Sequence, residues 1–188
     1  IFTDGMDSNY KLWDISEKIP IKVYYDTESQ IISCDFRTED DFHICLDNDK
    51  YLVIRKIDTM NTDCYKIVLD DKTTSFVKFN KFNPNEYVVG SKTKFDFYDI
   101  RTNKIIESYD NFGRVNLFES DSTHHLISNK QSLFLTKNNC EIIKEWNELG
   151  DISSLYMEGY KEKESNNNIG IVIIGNEKGD VYYSTMNF

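Results

Sequence analysis

The chain has 188 residues, of which 39% are hydrophobic and 14% aromatic, so it can bury a core and is too apolar to be disordered. Its 22 basic and 32 acidic residues give a net charge of −10, which argues against a direct nucleic-acid ligand because phosphate backbones bind mainly to clustered basic side chains. No run of about 18 apolar residues occurs, so no membrane span is predicted.

Short strands with alternating apolar and polar residues follow one another along the whole chain, separated by turns rich in Asp, Asn, Gly and Lys. We name the strands of each unit a to d in chain order. Residues 1–30 contain strands b, c and d, residues 151–188 contain strands a, b and c, and residues 31–73, 74–112 and 113–150 contain all four. In the third unit the predicted strands are residues 75–82, 86–91, 94–100 and 104–110.

The units repeat one pattern, which is clearest between IFTDGMDSNYKLWDI (1–15) and YVVGSKTKFDFYDI (87–100). Both read as an apolar strand, a polar turn, an alternating strand and then an aromatic residue followed by Asp. Three weaker copies lie at 42–57, 125–137 and 171–185. The repeat length of about 40 to 45 residues is that of a propeller blade, which is a small antiparallel sheet of four strands. The positions equivalent to Trp13 are Ile54, Tyr98, Thr136 and Ser184.

The segments DSNYKLWDI and FNKFNPNEYVVGSKTKFDFYDIRTNKII resemble WD repeats. The resemblance covers nearly the whole chain and implies an all-β, WD-type β-propeller, with about four complete blades plus a partial one in a single segment of residues 1–188. Because the first unit lacks strand a and the last lacks strand d, this segment is expected to be the C-terminal part of a larger propeller, commonly seven-bladed in the family. Family blades also have a Gly-His pair and an Asp six residues before the Trp, of which only Asp7 is present here.

Residue types that carry chemistry are present, but they form no recognisable catalytic or metal site. The three histidines are too few for the three or four convergent ligands of a metal site, and no GxSxG, P-loop or GxGxxG motif occurs. Acidic pairs such as Asp70–Asp71 fall in predicted turns, where solvated Asp is ordinary. No catalytic residue, metal ligand or cofactor is therefore predicted, and a propeller enzyme is the less favoured alternative. The histidines are His43, His124 and His125.

The four cysteines lie far apart without a CxxC pair, which disfavours both a zinc site and a disulfide framework. Reduced thiols favour a cytoplasmic or nuclear protein. Two of them, Cys34 and Cys45, fall on strands a and b of one unit, where they are expected to be buried neighbours with the role of small apolar side chains. The other two are Cys64 and Cys140.

Aromatic residues are dense in the third unit. They favour core packing, because aromatic side chains of strands mostly fill the space between packed sheets. The alternative is an exposed peptide-binding cluster. These residues are Phe79, Phe82, Phe95, Phe97 and Tyr98.

The predicted function is a non-catalytic scaffold or adaptor that binds a protein or peptide partner, within a multiprotein complex, through the end of the blades that carries the b–c turns and the d–a loops. Acidic d–a loops and basic b–c turns give this end alternating charge, which suits a polar protein partner better than DNA. Two alternatives stay open: the charged residues are ordinary solvated turn residues, or the chain is an architectural subunit of a large complex. The candidate residues are Lys50, Lys92, Lys94, Lys130 and Lys178 in b–c turns and Asp70, Asp71, Asp110 and Asp151 in d–a loops.

Overall fold

The computed structural model describes residues 2–4, 6–25, 27–37, 41–57, 64–121, 123–129, 132–147, 149–161 and 168–187. In these residues it contains eighteen β strands, no helix and five antiparallel sheets, each a meander of strands consecutive in sequence. The all-β, β-propeller fold class predicted from the sequence is confirmed.

Sheet 1 consists of β1 (Phe2–Asp4), β2 (Tyr10–Asp14) and β3 (Ile19–Tyr24). Sheet 2 consists of β4 (Ile31–Arg37), β5 (Phe42–Asp47), β6 (Tyr51–Lys56) and β7 (Cys64–Val68). Sheet 3 consists of β8 (Phe76–Phe79), β9 (Glu86–Gly90), β10 (Phe95–Asp99) and β11 (Ile105–Tyr109). Sheet 4 consists of β12 (Val115–Ser120), β13 (His124–Asn129), β14 (Ser132–Lys137) and β15 (Ile142–Asn147). Sheet 5 consists of β16 (Ile152–Lys161), β17 (Asn168–Asn176) and β18 (Val181–Asn187).

The strands match the predicted a-to-d order: in the described residues sheets 2, 3 and 4 have four strands, and sheets 1 and 5 have three. One boundary differs. Strand a of sheet 3 was expected to reach residue 82 but ends at Phe79. The chain turns there because the Asn80 side chain accepts a hydrogen bond from the Phe82 N–H over 3.0 Å, which replaces a further rung of the ladder by a local turn. That the chain belongs to a larger, seven-bladed propeller stays a prediction.

Two β-bulges recur at fixed positions. In sheets 2, 4 and 5 the register between strands a and b shifts directly after the first residue of strand a, which is a buried aliphatic residue in each case: Ile31, Val115 and Ile152. In sheets 1, 3 and 4 the register between strands c and d shifts as well. Each shift leaves one extra, exposed isoleucine in the outer strand. These isoleucines are Ile21, Ile106 and Ile143.

The aromatic–Asp pair of the repeat ends strand c and starts the c–d turn. Asp14 Oδ1 accepts hydrogen bonds from the backbone N–H groups of the two residues after Ile15, at 2.8 and 3.2 Å. Asp99 does the same with Arg101 and Thr102, at 3.0 and 2.9 Å. The Arg101 side chain adds a further bond to Asp99, and these bonds together lower the pKa of Asp99 to about 2. The acidic residue therefore shapes a turn, as Asp commonly does.

By its internal contacts the chain divides into two compact units, residues 1–79 and 80–188. In the first, Tyr10 stacks on Tyr24 with ring centroids 4.8 Å apart and packs on His43 at 4.4 Å. Strand β8 packs on β4 through hydrogen bonds of its backbone N–H groups: Val77 donates to Ser33 Oγ at 3.1 Å and Phe79 to Asp35 Oδ2 at 2.9 Å. The rest of the buried cluster around Tyr10 and Tyr24 is Ile31, Cys45 and Val53.

The second unit has an aromatic core and an aliphatic one. Phe95 is fully buried, and its ring centroid lies 5.3 to 6.2 Å from those of four other aromatic residues. The aliphatic core joins side chains of sheets 4 and 5. The aromatic neighbours of Phe95 are Phe97, Tyr109, Phe112 and Phe118. The aliphatic core consists of Leu126, Leu133, Leu135, Ile152, Met157, Val172 and Ile174.

Candidate functional site

The b–c turn of sheet 2 is tied to the d–a loops on both sides of that sheet. Before strand a, the Gln30 carbonyl accepts a hydrogen bond from the Asn48 N–H at 2.9 Å. After strand d, the Leu69 N–H donates to the Lys50 carbonyl at 2.9 Å. Lys50 also extends its ammonium group to the Thr74 carbonyl, again at 2.9 Å. The turn and the loops therefore form one connected surface at this end of the first unit.

The same connection occurs in the second unit. In sheet 5, the Glu177 N–H of the b–c turn donates to the Asp151 carbonyl of the d–a loop at 2.9 Å, and Asn176 Nδ2 donates to the Leu149 carbonyl at 3.3 Å. In sheet 4, Asn129 Nδ2 donates to the Phe112 carbonyl at 2.9 Å. The b–c turns and d–a loops of each unit thus share one end, as the sequence-based hypothesis requires.

A short polar residue closes strand b in sheets 2 to 5 and organises the b–c turn. Asp47 accepts from the Tyr51 N–H at 2.9 Å, and Ser91 donates to the Lys94 carbonyl at 3.1 Å. The other two closing residues are Asn129, which accepts from the Ser132 N–H at 2.7 Å, and Asn176, which accepts from the N–H groups of Lys178 and Asp180 at 3.0 and 2.9 Å. The sequence interpretation missed this position. The recurrence of Asp, Ser or Asn at the end of strand b, or directly after it, in sheets 2 to 5 could have shown it.

Replacing Asn176 with alanine is expected to lower the free energy of unfolding by about 1–3 kcal/mol, because the buried amide is the partner of two turn N–H groups and of the Leu149 carbonyl. Urea unfolding followed by circular dichroism measures the loss. Asn85→Ala is the control, because Asn85 is exposed in a different turn and its loss should cost about 0.5 kcal/mol or less. Equal losses in the two variants would contradict a special role for Asn176.

The structure places the nine candidate residues in different surroundings. Lys50 and Asp71 are half-buried and bonded within the loops, Asp71 through Thr73. Lys94 is half-buried and forms an ion pair of 2.9 Å with Asp96, whose carboxylate is nearly buried. Lys130 lies outside the described residues. The remaining five are exposed at the shared end of their unit: Lys92, Lys178, Asp70, Asp110 and Asp151.

Asp7, the one match to the Asp of the WD-repeat network, lies at the surface. It forms an ion pair of 3.1 Å with Lys11, and the hydrogen bond from Lys11, followed by that from Asn9, lowers the pKa of Asp7. The half-exposed carboxylate side chain indicates a local turn contact. No position equivalent to Asp7 carries Asp, since Asn48, Lys92, Lys130 and Lys178 stand there.

Two of the three histidines, His43 and His125, are buried against aromatic rings. Burial lowers the pKa of His43 to about 3 and that of His125 to about 4. His125 packs on Phe97 and Phe118 at 5.6 and 5.2 Å, with Nε2 3.2 Å from the Asn138 carbonyl. Such imidazoles are neutral members of the core. Among the described residues no three His, Cys, Asp or Glu side chains converge on a point that could hold a metal ion.

The cysteines whose side chains are described have structural positions. Cys34 and Cys45 face each other across strands β4 and β5 and belong to the core of the first unit. Burial raises the pKa of Cys140 to about 12, which keeps its sulfur as an unreactive thiol.

Of the five aromatic residues of the third unit, Phe79, Phe95 and Phe97 are buried and Tyr98 is half-buried. Phe82 is the exception, with 43% of its surface exposed.

No helix of the described residues is long and apolar enough to cross a membrane. No protein-family model matches the chain, and no curated protein has a significantly similar sequence.

Proposed function

We propose that this chain is a non-catalytic interaction scaffold of the WD type, which binds a protein or peptide partner through the end that carries the b–c turns and d–a loops. The partner belongs to a multiprotein complex of the cytoplasm or nucleus. The observation that carries the proposal is the hydrogen bonding between b–c turns and d–a loops, such as Glu177 N–H to the Asp151 carbonyl at 2.9 Å.

This bonding supports recognition because it fixes loops that would otherwise be mobile. Side chains on loops that are held by a rigid sheet lose little conformational freedom when a partner binds. The short polar residue at the end of each strand b adds to this rigidity, since Asn176 alone bonds to two backbone N–H groups and a carbonyl. The end of the second unit is thus preorganised for contact.

The exposed charges at this end are of both signs. In the second unit, Lys92 and Lys178 project from b–c turns, while Asp110 and Asp151 project from d–a loops. Mixed charge favours a polar protein surface of complementary pattern, in which each pair contributes mainly to the association rate. It is a poor match for a nucleic-acid backbone, which is uniformly negative.

Reversing Lys92 and Lys178 together to glutamate is expected to weaken partner binding by up to about fivefold per charge, because rim charges contribute about 1 kcal/mol or less each. Lys94, although it lies in the same turn as Lys92, is left unchanged because its loss would strand the Asp96 carboxylate. Partners captured from native extract on the full chain and quantified by mass spectrometry at low and high salt give the measurement.

The matched control is Lys104→Glu, which alters an exposed lysine of the c–d turn in the same sheet as Lys92 but at the opposite end of its strands. Circular dichroism checks that each variant is folded. Partner binding that depends on Lys104 and is insensitive to Lys92 and Lys178 would move the interface to the opposite end.

A further inference from the structure

A cavity of about 200 Å³ lies between sheets 3 and 4 of the second unit. It is at the end that carries the a–b and c–d connections, opposite to the end discussed above. Its lining consists of two glutamates, three asparagines and three apolar side chains. The volume is below that of pockets for drug-sized ligands and suits a single long side chain.

The polar part of the lining is rich in hydrogen-bond acceptors. Glu86 is oriented by two amides: Asn83 Nδ2 donates to Oε1 at 2.5 Å and Asn80 Nδ2 donates to Oε2 at 2.8 Å. Asn80 itself is 2% exposed, so this arrangement is fixed from inside the protein. A carboxylate oxygen can accept more than one hydrogen bond, which leaves Glu86 able to accept from a ligand as well.

The second carboxylate, Glu107, is held from the side of sheet 3. It accepts a hydrogen bond from the Tyr109 hydroxyl. Burial, together with this bond, raises the pKa of Tyr109. The Tyr109 hydroxyl also lies 3.5 Å from the Asn139 carbonyl oxygen in the c–d turn of sheet 4. None of the described residues that line the cavity is Lys, Arg or His. The negative charge of the cavity is therefore not neutralised by a basic residue in its lining.

Aromatic rings complete the cavity. Phe97 is buried beneath it, in edge-to-face contact with Tyr109 at 5.9 Å. Phe82 lines the cavity with an exposed ring. Packing of the core does not explain why a large aromatic residue is exposed at this position. An exposed ring can, however, bind a cation, because the electrons of the aromatic face attract positive charge. Carboxylates and an exposed ring around one small cavity form a cation-binding arrangement.

We infer that this cavity binds the guanidinium group of an arginine side chain from a partner protein, with Glu86 and Glu107 as acceptors and Phe82 as the stacking surface. Arginine has five N–H donors, no acceptor and a planar group that stacks on rings. This matches a lining rich in acceptors better than lysine does, whose ammonium is a compact and strongly hydrated charge. The site lies at the opposite end from the proposed scaffold interface and does not depend on it.

The test uses the full chain and a short glycine–serine peptide with one central arginine. Binding is followed by NMR shifts of the resonances around Phe82 and Glu107, up to about 10 mM peptide, since one side chain gives affinities in the millimolar range. The arginine peptide should bind at least tenfold more tightly than the same peptide with neutral citrulline, and more tightly than the lysine peptide. Glu107→Gln should weaken binding roughly tenfold, because charge-assisted bonds are the strong ones.

The matched control is Glu145→Gln, which changes an exposed glutamate on the outer strand d of the next sheet, outside the lining of the cavity. This variant should bind the peptide as the unchanged chain does. So should the Lys92→Glu, Lys178→Glu double variant, which separates failure of this site from failure of the scaffold proposal.

Three results would overturn the inference: no shifts at the highest arginine-peptide concentration, equal binding of the citrulline or lysine peptide, or displacement of the arginine peptide by millimolar Ca²⁺ or Mg²⁺. The first would show that the cavity has no such ligand. Equal binding of the citrulline or lysine peptide would show that the guanidinium group is not recognised. Displacement by Ca²⁺ or Mg²⁺ would show that the carboxylates bind a metal ion instead. Loss of binding in Glu107→Gln with an unchanged circular-dichroism spectrum supports the site.

Discussion

Replacing Phe95 with alanine is expected to lower the free energy of unfolding by about 3–5 kcal/mol, the range for removing a buried phenylalanine ring. The ring is completely buried, and four aromatic side chains surround it. They are held on strands and in a loop of two adjacent sheets, so they cannot close the space that the ring leaves. Urea unfolding followed by circular dichroism and tyrosine fluorescence measures the loss.

Phe82→Ala is the control for this prediction. It removes the same ring from a position that is 43% exposed, and we expect a loss of about 1 kcal/mol or less because little buried surface and no closed cavity are involved. Similar losses for the two variants would contradict the central role of the Phe95 cluster.

The double substitution of His43 and His125 by phenylalanine is expected to remove a large part of the acid sensitivity of the fold. Burial lowers the pKa of these imidazoles from 6.5 to about 3 and about 4. As the pH falls below 6.5, the unfolded chain therefore takes up protons that the folded chain excludes. The free energy of unfolding is therefore unaffected by these histidines above pH 6.5. Below pH 6.5 it falls by roughly 1.4 kcal/mol per pH unit for each histidine, until the pKa of that histidine in the folded state is reached.

Unfolding free energies measured between pH 7 and pH 5 separate this effect from the titration of carboxylates, which follows at lower pH. Each single variant should remove about half of the slope. His124→Gln should remove much less, because His124 is only half-buried and the charge of Asp121 opposes the lowering of its pKa. An unchanged slope in the double variant would show that His43 and His125 are not the groups responsible.

Alternation of apolar and polar residues was sufficient to predict the strand order of every sheet, because one face of each strand is buried and period-2 patterning reports burial directly. It also predicted that Phe95 and Phe97 are core residues. Phe82 was predicted incorrectly, because the pattern does not show that the chain turns at Asn80 and leaves strand a before reaching it.

The candidate site could be predicted only in part. The sequence identifies the turns and their charges, and the shared end of turns and loops follows from the order of antiparallel strands. Whether a charged side chain is exposed or forms an ion pair within the protein depends on residues of other strands, which the local sequence does not show. The sequence alone predicts Lys94 to be a solvated turn residue, yet it forms an ion pair with Asp96. Asp96 is buried and also accepts a hydrogen bond from Ser108 of the neighbouring strand. The lining of the cavity next to Phe82 likewise comes from separate strands and turns, so no local pattern contains it.

The extra isoleucines Ile21, Ile106 and Ile143 have a consequence for how the chain behaves at high concentration. A β-branched, apolar outer strand is a template for endless strand addition, the first step towards fibrils. The extra residue of the bulge interrupts the regular alternation of N–H and C=O groups along the edge of the strand. A regular incoming strand that forms hydrogen bonds on one side of the bulge therefore places its N–H groups opposite N–H groups on the other side. The outer strands can thus retain the isoleucines at their surface while each presents an interrupted row of peptide groups to other molecules.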